Sequence, residues 1–165
     1  MVGSNKSCMK LNLRKAYDTV NRDFVIHIMK AIGFDDWWTS RIYECISTPT
    51  FSIMVRGRPT GFIQSSRGLR QGDPLSAYLF TMVMEHFTCL MDIAEHSRKI
   101  TPIFRLVKPS VSHLIYADNL LVFIKPSDEG IQSLVNILSS FEDASGLSLN
   151  KGSANAGDYD GSILV

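Results

Sequence analysis

The chain has 165 residues, 45% of them hydrophobic, and this length and composition predict one folded domain and exclude wholesale disorder. Its 17 basic and 16 acidic side chains give a net charge of +1, which is low for a nucleic-acid-binding protein. The three cysteines (Cys8, Cys45 and Cys89) are far apart, which argues against a disulfide framework or a zinc site, and we find neither a signal peptide nor an apolar run long enough to span a membrane. We therefore expect an intracellular protein of the nucleus or cytoplasm, neither secreted nor bound to a membrane.

The charged residues are unevenly distributed along the chain. Between Phe51 and Leu75 there are four arginines and a single acidic residue, Asp73, whereas from Pro126 onward Lys151 is the one basic residue against six acidic ones. A basic middle and an acidic tail are compatible with one surface that faces nucleic acid, and equally with ordinary solvated surface.

The first half of the chain predicts a strand, two helices and a hairpin. The strand covers residues 8–13, and the first helix is capped by Asp18 or Asn21 and stopped by Gly33. A second helix begins at Asp35 or Asp36 and runs through Ile46. Residues 51–56 and 62–65 then flank a glycine- and proline-containing connection over 57–61, which is a hairpin signal.

The second half predicts two further helices and three strands. After a loop over 67–74, a long helix runs from Leu75 toward Ala94 with one apolar stripe. Strands over 113–116 and 120–124 are hinged at Ala117 and Asp118, and residues 147–150 form a closing strand. The helix between them spans roughly 128–144, and the side chains that we expect to face inward are Ile131, Leu134, Val135, Leu138 and Phe141.

This order of elements, βαα-ββ-α-ββ-αβ, predicts an α+β fold. Antiparallel strands that alternate with amphipathic helices bury their apolar faces against one another, so we expect an antiparallel sheet with helices packed on one face.

Three blocks of the chain carry a recognisable chemistry. Residues 10–18 are K-L-N-L-R-K-A-Y-D, residues 67–80 are R-G-L-R-Q-G-D-P-L-S-A-Y-L-F, and residues 116–119 are Y-A-D-N. In order and spacing they resemble motifs A, B and C of the reverse transcriptase palm of non-LTR (LINE-like) retrotransposons, most closely the plant type, and residues 145–153 occupy the motif D region.

The resemblance covers roughly Met9 to Ser153 and implies a fold and a domain organisation. The implied fold is a palm with a ferredoxin-like βαββαβ core. We expect residues 1–165 to form this single domain, without the fingers, thumb and endonuclease regions of the family.

The resemblance also implies which residues hold metal and which have changed. Nucleotidyl transfer uses two Mg²⁺ ions to stabilise the attacking and leaving oxygens, and Mg²⁺ prefers anionic oxygen ligands. The three catalytic carboxylates of the family correspond here to Asn12, Asp118 and Asn119, so Asp118 alone is left as a metal ligand. We therefore expect Mg²⁺ binding to be weak or absent and the palm to be inactive.

The resemblance assigns nucleotide and template contacts to Tyr17, Arg67, Arg70, Gln71 and Gly72. The tyrosine matches the aromatic residue under the incoming sugar, and the Gln-Gly pair matches the loop that touches template and nucleotide. The two arginines suit bidentate contact with phosphate. The tyrosine is equally compatible with a place at the edge of the core, and the arginines with a solvated loop.

Two further positions lie beside the motifs. Asp18 is expected to cap a helix rather than to replace a lost metal ligand. The motif D lysine of the family falls at Ser153, and Lys151, two residues earlier, keeps the same face of a strand.

We therefore expect a reverse transcriptase (RNA-directed DNA polymerase) palm homologue that is catalytically inactive and serves at most as a weak binding scaffold for RNA, an RNA/DNA hybrid or a protein partner. One alternative is a residual or partner-dependent polymerase, which Asp118 and the intact motif B favour and Asn12 opposes. Others are a dedicated binding module, for which the arginines favour RNA and the near-neutral net charge favours protein, and a non-functional remnant.

Overall fold

The computed structural model describes residues 7–103, 110–150 and 155–158. Within these ranges no helix is both long enough and apolar enough to cross a lipid bilayer. The elements, in chain order, are β1 (Ser7–Arg14), α1 (Ala16–Thr19), α2 (Arg22–Ile32), α3 (Asp36–Ser47), β2 (Thr50–Val55), β3 (Arg58–Gln64), α4 (Pro74–His96), β4 (His113–Tyr116), β5 (Asn119–Ile124), α5 (Asp128–Ser145), β6 (Ser148–Leu149) and β7 (Asn155–Asp158).

The predicted α+β fold with an antiparallel sheet is confirmed. The strands are ordered β4-β5-β1-β6, every neighbouring pair is antiparallel, and β1 lies between β5 and β6 as in a ferredoxin-like split unit. The sequence did not predict β7, whose N-A-G-D residues are poor strand formers. It pairs with the beginning of β1, along the edge that β6 leaves open.

Helices cover one face of this sheet because the strands alternate with a period of two. Leu11 and Leu13 of β1 lie on the same face as Leu120 and Val122 of β5, and all four are buried. They share one core with side chains of α4 and α5, including Leu79, Val83, Phe87, Leu134 and Phe141. The residue between the two β1 leucines, Asn12, therefore points to the opposite face.

The helix N-caps settle two choices that the sequence leaves open. Asn21 caps α2, because its Oδ1 accepts a hydrogen bond from the Asp23 N–H at 3.0 Å, and Asp35 caps α3 by accepting from the Trp38 N–H at 2.9 Å. The expectation that Asp18 caps a helix is wrong, because it lies inside the short helix α1 with an exposed side chain.

The hairpin turn is tighter than the sequence suggests. We expected a connection over 57–61, but the turn consists of Arg56 and Gly57 alone and β3 already begins at Arg58. Both turn residues have positive φ angles, 51° and 76°, as the preferred two-residue hairpin turn requires. Pro59 fits within β3 because a two-stranded ribbon leaves each strand one unpaired edge.

Helix α5 buries a narrower stripe than we expected. Leu134 and Phe141 are buried, but Ile131 and Val135 are 43% and 51% exposed. The two buried residues are seven positions apart, so they lie on one side of the helix, facing the core. The two exposed residues lie outside this stripe, so their predicted inward orientation is wrong.

The short segment after β1 is held on both sides by backbone hydrogen bonds. On one side, the Leu69 N–H donates to the Tyr17 carbonyl at 2.7 Å and the Gly68 N–H donates to the Val20 carbonyl at 2.9 Å. On the other side, the Asn21 N–H donates to the carbonyl of the last α5 residue at 2.7 Å. This segment, residues 17–21, therefore joins the motif B loop to the end of α5.

Two glycines make this close approach sterically feasible. A Cβ atom at Gly68 would lie 2.6 Å from the carbonyl oxygen of Asp18, and one at Gly146 would lie 2.7 Å from that of Thr19. Both glycines also have positive φ angles, 85° and 73°. A side chain at either position would push the 17–21 segment away from its neighbour.

Substitution of Gly68 tests how much this contact stabilises the fold. Gly68 and Gly72 have the same φ of 85°, but a Cβ at Gly72 meets nothing within 4 Å. We expect Gly72→Ala to lower the free energy of unfolding by about 1–2 kcal/mol through backbone strain alone. Gly68→Ala should lower it by about a further 1–3 kcal/mol from overpacking. Urea denaturation of both variants measures the difference, and equal losses would show that the contact is unimportant.

Candidate active site

The structure brings the three predicted catalytic positions to one end of the sheet. Asn12 of β1 lies directly opposite Asn119 of β5 in the strand register, so the two are on neighbouring strands about 4.8 Å apart. The N–H of Leu13 donates to the carbonyl of Asp118 at 2.8 Å, which places Asp118 at the end of the same strand pair. The Asn119 Nδ2 atom donates to the Asp118 Oδ1 atom at 3.2 Å.

Asp118 is displayed on a strained turn. Ala117 and Asp118 form the two-residue connection between β4 and β5, and Ala117 has a φ of 52°. A two-residue hairpin turn normally places glycine, asparagine or aspartate at a position with positive φ, and alanine there is strained. The turn leaves the Asp118 side chain exposed at the tip of the hairpin.

Asp118 shares a cleft of about 280 Å³ with two of the predicted nucleotide-binding residues, Tyr17 and Gln71. The ring of Tyr17 stacks on that of Phe80 with centroids 4.8 Å apart, so this tyrosine both contacts the core and faces the cleft. The cleft is lined by Lys15, Ala16, Tyr17, Asp18, Gln71, Ala117 and Asp118. The sequence did not lead us to expect Asp18 there, and its place within α1 brings it to the cleft.

The donor atoms at this end of the sheet do not fit a pair of Mg²⁺ ions. The Oδ1 atom of Asn12 is buried and has no hydrogen-bond partner among the residues that the structure describes, and the amide of Asn119 is engaged with Asp118. Among the residues that the structure describes, no three His, Cys, Asp or Glu side chains converge as a metal-binding set. A two-metal site needs anionic oxygens that bridge both ions, and neutral amides stand at two of the three predicted ligand positions.

The other predicted template contacts lie outside this cleft. Arg67 and Arg70 line a second pocket of about 240 Å³, on the side of the motif B loop that faces α2 and α3. Gly72 lines neither cavity. The structure therefore divides the predicted site into a cleft around Asp118 and a pocket around the two arginines, and Asp18 is the one residue that lines both.

Arg22 is a residue of this site that our sequence reasoning missed. It is only 9% exposed, its Nε atom donates to the Gly68 carbonyl and its Nη1 atom to the Ser65 carbonyl, both at 2.8 Å. Its Nη2 atom reaches the Ser65 hydroxyl and, at 3.3 Å, the Arg67 carbonyl. Burial lowers the pKa of Arg22, but an arginine stays protonated in proteins.

Arg22 holds the motif B loop in place through these contacts. One sequence signal could have revealed it: it is the first residue of α2, where the helix dipole disfavours a positive charge. The motif D residues Lys151 and Ser153 lie outside the described residues.

Comparisons with known proteins agree with this fold and site. Residues 2–152 match the family described as reverse transcriptase (RNA-dependent DNA polymerase). The chain is 30% identical over 148 residues to a retrovirus-related Pol polyprotein from the type-1 retrotransposable element R2 of Popillia japonica, a match that covers 90% of the chain and 23% of that protein. It is also 40% identical over 69 residues to an uncharacterized mitochondrial protein of Arabidopsis thaliana, which covers 41% of the chain and 56% of that protein.

Solved structures with the same fold include a yeast telomerase. The apo telomerase of Candida tropicalis, truncated from its C-terminal domain, aligns with a TM-score of 0.64 at 16% identity, over 95% of this chain and 32% of that one. The telomerase of Candida albicans, in complex with a fragment of telomeric RNA, aligns with a TM-score of 0.65 at 14% identity, over 94% of this chain and 28% of that one. The chain thus spans about a quarter of the R2 relative and about a third of these structures.

The strain at Ala117 can be measured by substitution with glycine. Glycine relieves a left-handed strain of roughly 1–2 kcal/mol but costs about 0.5–1 kcal/mol of chain entropy, so Ala117→Gly should leave the free energy of unfolding unchanged or raise it slightly. The control is Ala77→Gly on the exposed side of α4, which should lower it by about 1 kcal/mol. Urea denaturation measures the free energy of unfolding of both variants. If Ala117→Gly lowers it as much as Ala77→Gly does, the turn is not strained.

Proposed function

This chain belongs to the reverse transcriptase (RNA-dependent DNA polymerase) family, and we propose that it is a single palm domain that has lost the metal-dependent polymerase chemistry and keeps a surface for nucleic acid. The observation that carries the proposal is the pairing of Asn12 with Asn119 beside Asp118. Its relatives among the R2 polyproteins identify it as the non-LTR type.

The loss of chemistry follows from the ligands that Mg²⁺ needs. A carboxylate can bridge two divalent cations and offsets their charge, whereas an amide offers one neutral carbonyl oxygen. The metal ions supply several kcal/mol of transition-state stabilisation, so losing them slows the reaction by orders of magnitude. The Asn119 amide also donates to Asp118 and competes with any cation for that carboxylate.

A residual polymerase is the second candidate, and Asp18 is the observation that favours it. Asp18 lines the cleft together with Asp118, and Mg²⁺ is often held by one or two carboxylates with water and substrate phosphates. Against this, Asp18 lies on α1 and not at the strand position that faces Asn119. We therefore propose that these two carboxylates bind at most one cation weakly.

The proposed partner is RNA or an RNA/DNA hybrid. Tyr17 and Gln71 still line the cleft, and residues 45–72 contain four arginines and no acidic side chain. The exposed apolar side chains of the β2–β3 hairpin, such as Phe62 at 88% and Met54 at 63%, favour the alternative of a protein partner. A non-functional remnant would show neither interaction.

The first test of the proposal measures metal binding and primer extension. We expect calorimetric titration to show no tight Mg²⁺ or Mn²⁺ binding and a labelled primer on an RNA template to stay unextended. In the double variant Asn12→Asp/Asn119→Asp, the affinity for divalent metal should rise, because three carboxylates then converge on one point. The variant should also be less stable without metal, because like charges a few ångströms apart repel.

The proposal would be contradicted if the unmodified chain extended the primer on the RNA template and Asp118→Ala abolished this extension. That result would show that the two amides are tolerated and that the chain is an active polymerase.

The second test measures how RNA affinity depends on salt. If Arg56, Arg58, Arg67 and Arg70 contact phosphates of a single strand, each contributes about −0.7 to the slope of log affinity against log salt, and the total should be no steeper than about −3. Arg67→Ala/Arg70→Ala should make the slope shallower by about half. If the RNA affinity changes neither with the salt concentration nor in this double variant, these arginines do not form a phosphate-contacting surface.

A further inference from the structure

We propose that the pocket around Arg22, Arg67 and Arg70 binds one phosphoryl group, at a site separate from the cleft of Asp118. This inference rests on the proposed function in one respect: a nucleic-acid backbone is one possible source of the phosphoryl group. A free phosphate or a nucleotide is the other source, and the experiment below distinguishes them.

The first observation is a buried positive charge without a carboxylate partner. All four hydrogen bonds of the Arg22 guanidinium go to neutral oxygens, two on Ser65 and two on backbone carbonyls of the motif B loop. Within the described part of the chain, the ion pairs are Lys30 with Asp36 and Arg41 with Glu44, both outside the pocket. Buried charges in proteins are normally paired, so Arg22 leaves a net positive potential in the pocket wall.

The second observation is an unused hydroxyl in the same wall. Ser76 lines the pocket and is only 1% exposed, yet its side chain makes no hydrogen bond to any residue that the structure describes. It lies in the first turn of α4, whose positive end favours anions. A serine hydroxyl in this place can donate to a phosphate oxygen.

Two exposed arginines that line the pocket complete the arrangement. Arg67 and Arg70 are exposed and line the pocket, and neither forms an ion pair with any residue that the structure describes. An arginine side chain offers a planar fork of donors that matches phosphate oxygens. These two arginines can therefore fold onto an anion that already contacts Arg22 or Ser76.

Two carboxylates also line the pocket and oppose this binding. Asp73 caps α4 by accepting from the Leu75 N–H at 3.0 Å, so its carboxylate has a structural role. Asp18 is exposed at the boundary between pocket and cleft, and repulsion from it should weaken an anion in the pocket. Three arginines against two aspartates still leave the pocket positive, so we expect modest affinity for one phosphate and higher affinity for a chain of them.

The experiment titrates the full 165-residue chain with inorganic phosphate against chloride at constant ionic strength, by calorimetry and by thermal shift. Phosphate that binds the folded chain should raise the melting temperature, and the rise should grow with the logarithm of the phosphate concentration once the site is saturated. Ser76→Ala and, separately, Arg67→Ala/Arg70→Ala should each weaken phosphate binding roughly tenfold or more, because each removes hydrogen bonds to a charged group. Asp18→Asn should strengthen it. The control Lys99→Ala removes an exposed charge far from this pocket and should change nothing.

Competition with single-stranded RNA identifies the source of the phosphoryl group. If RNA displaces phosphate and Ser76→Ala weakens RNA binding as well, the group belongs to a nucleic-acid backbone. If phosphate binds but RNA does not compete, the pocket takes a free phosphate or a nucleotide, and the inference stands even though the proposed RNA partner fails. The inference is overturned if phosphate binds no better than chloride, or if Lys99→Ala weakens binding as much as the pocket variants do.

Discussion

The arrangement of this protein depends on the hydrogen-bonded segment of residues 17–21. It follows the central strand directly, and its backbone pairs with the motif B loop on one side and with the end of α5 on the other. The glycines at positions 68 and 146 allow this contact because each faces a carbonyl oxygen where no Cβ atom fits. Since the same segment carries Tyr17 and Asp18, the packing constraint also determines which side chains reach the cleft.

The strand register fixes the rest of the candidate site. Antiparallel pairing of β1 with β5 sets Asn12 opposite Asn119, and the two-residue turn then leaves Asp118 exposed at the tip. The three positions that the family resemblance predicts to be catalytic therefore meet at one end of the sheet. In the account we propose, the backbone geometry of a palm is retained, while two of the three predicted metal-ligand positions carry amides that cannot neutralise metal ions.

The sequence predicted the parts of this fold in which local signals agree with packing. Helical spacing of apolar residues located α2, α4 and α5, and the motif blocks located the residues that meet at the sheet end. It did not predict that Arg22 holds the motif B loop, because its four contacts are to residues more than forty positions away. Nor did it separate Arg67 and Arg70 from the cleft of Asp118, because neighbours in a loop can line opposite sides of it. The same limit applies to Asp18, which lies within α1 and does not cap a helix.

The central claim is that the palm geometry persists without a two-metal site. Anomalous X-ray diffraction from crystals of the chain grown with Mn²⁺, a primer–template and a nucleotide tests it most directly. We predict that no pair of Mn²⁺ ions about 3.5–4 Å apart will be found between the positions of Asn12 and Asp118. Two such ions, with the side-chain Oδ1 atom of Asn12 and the Asp118 carboxylate as ligands, would contradict the account.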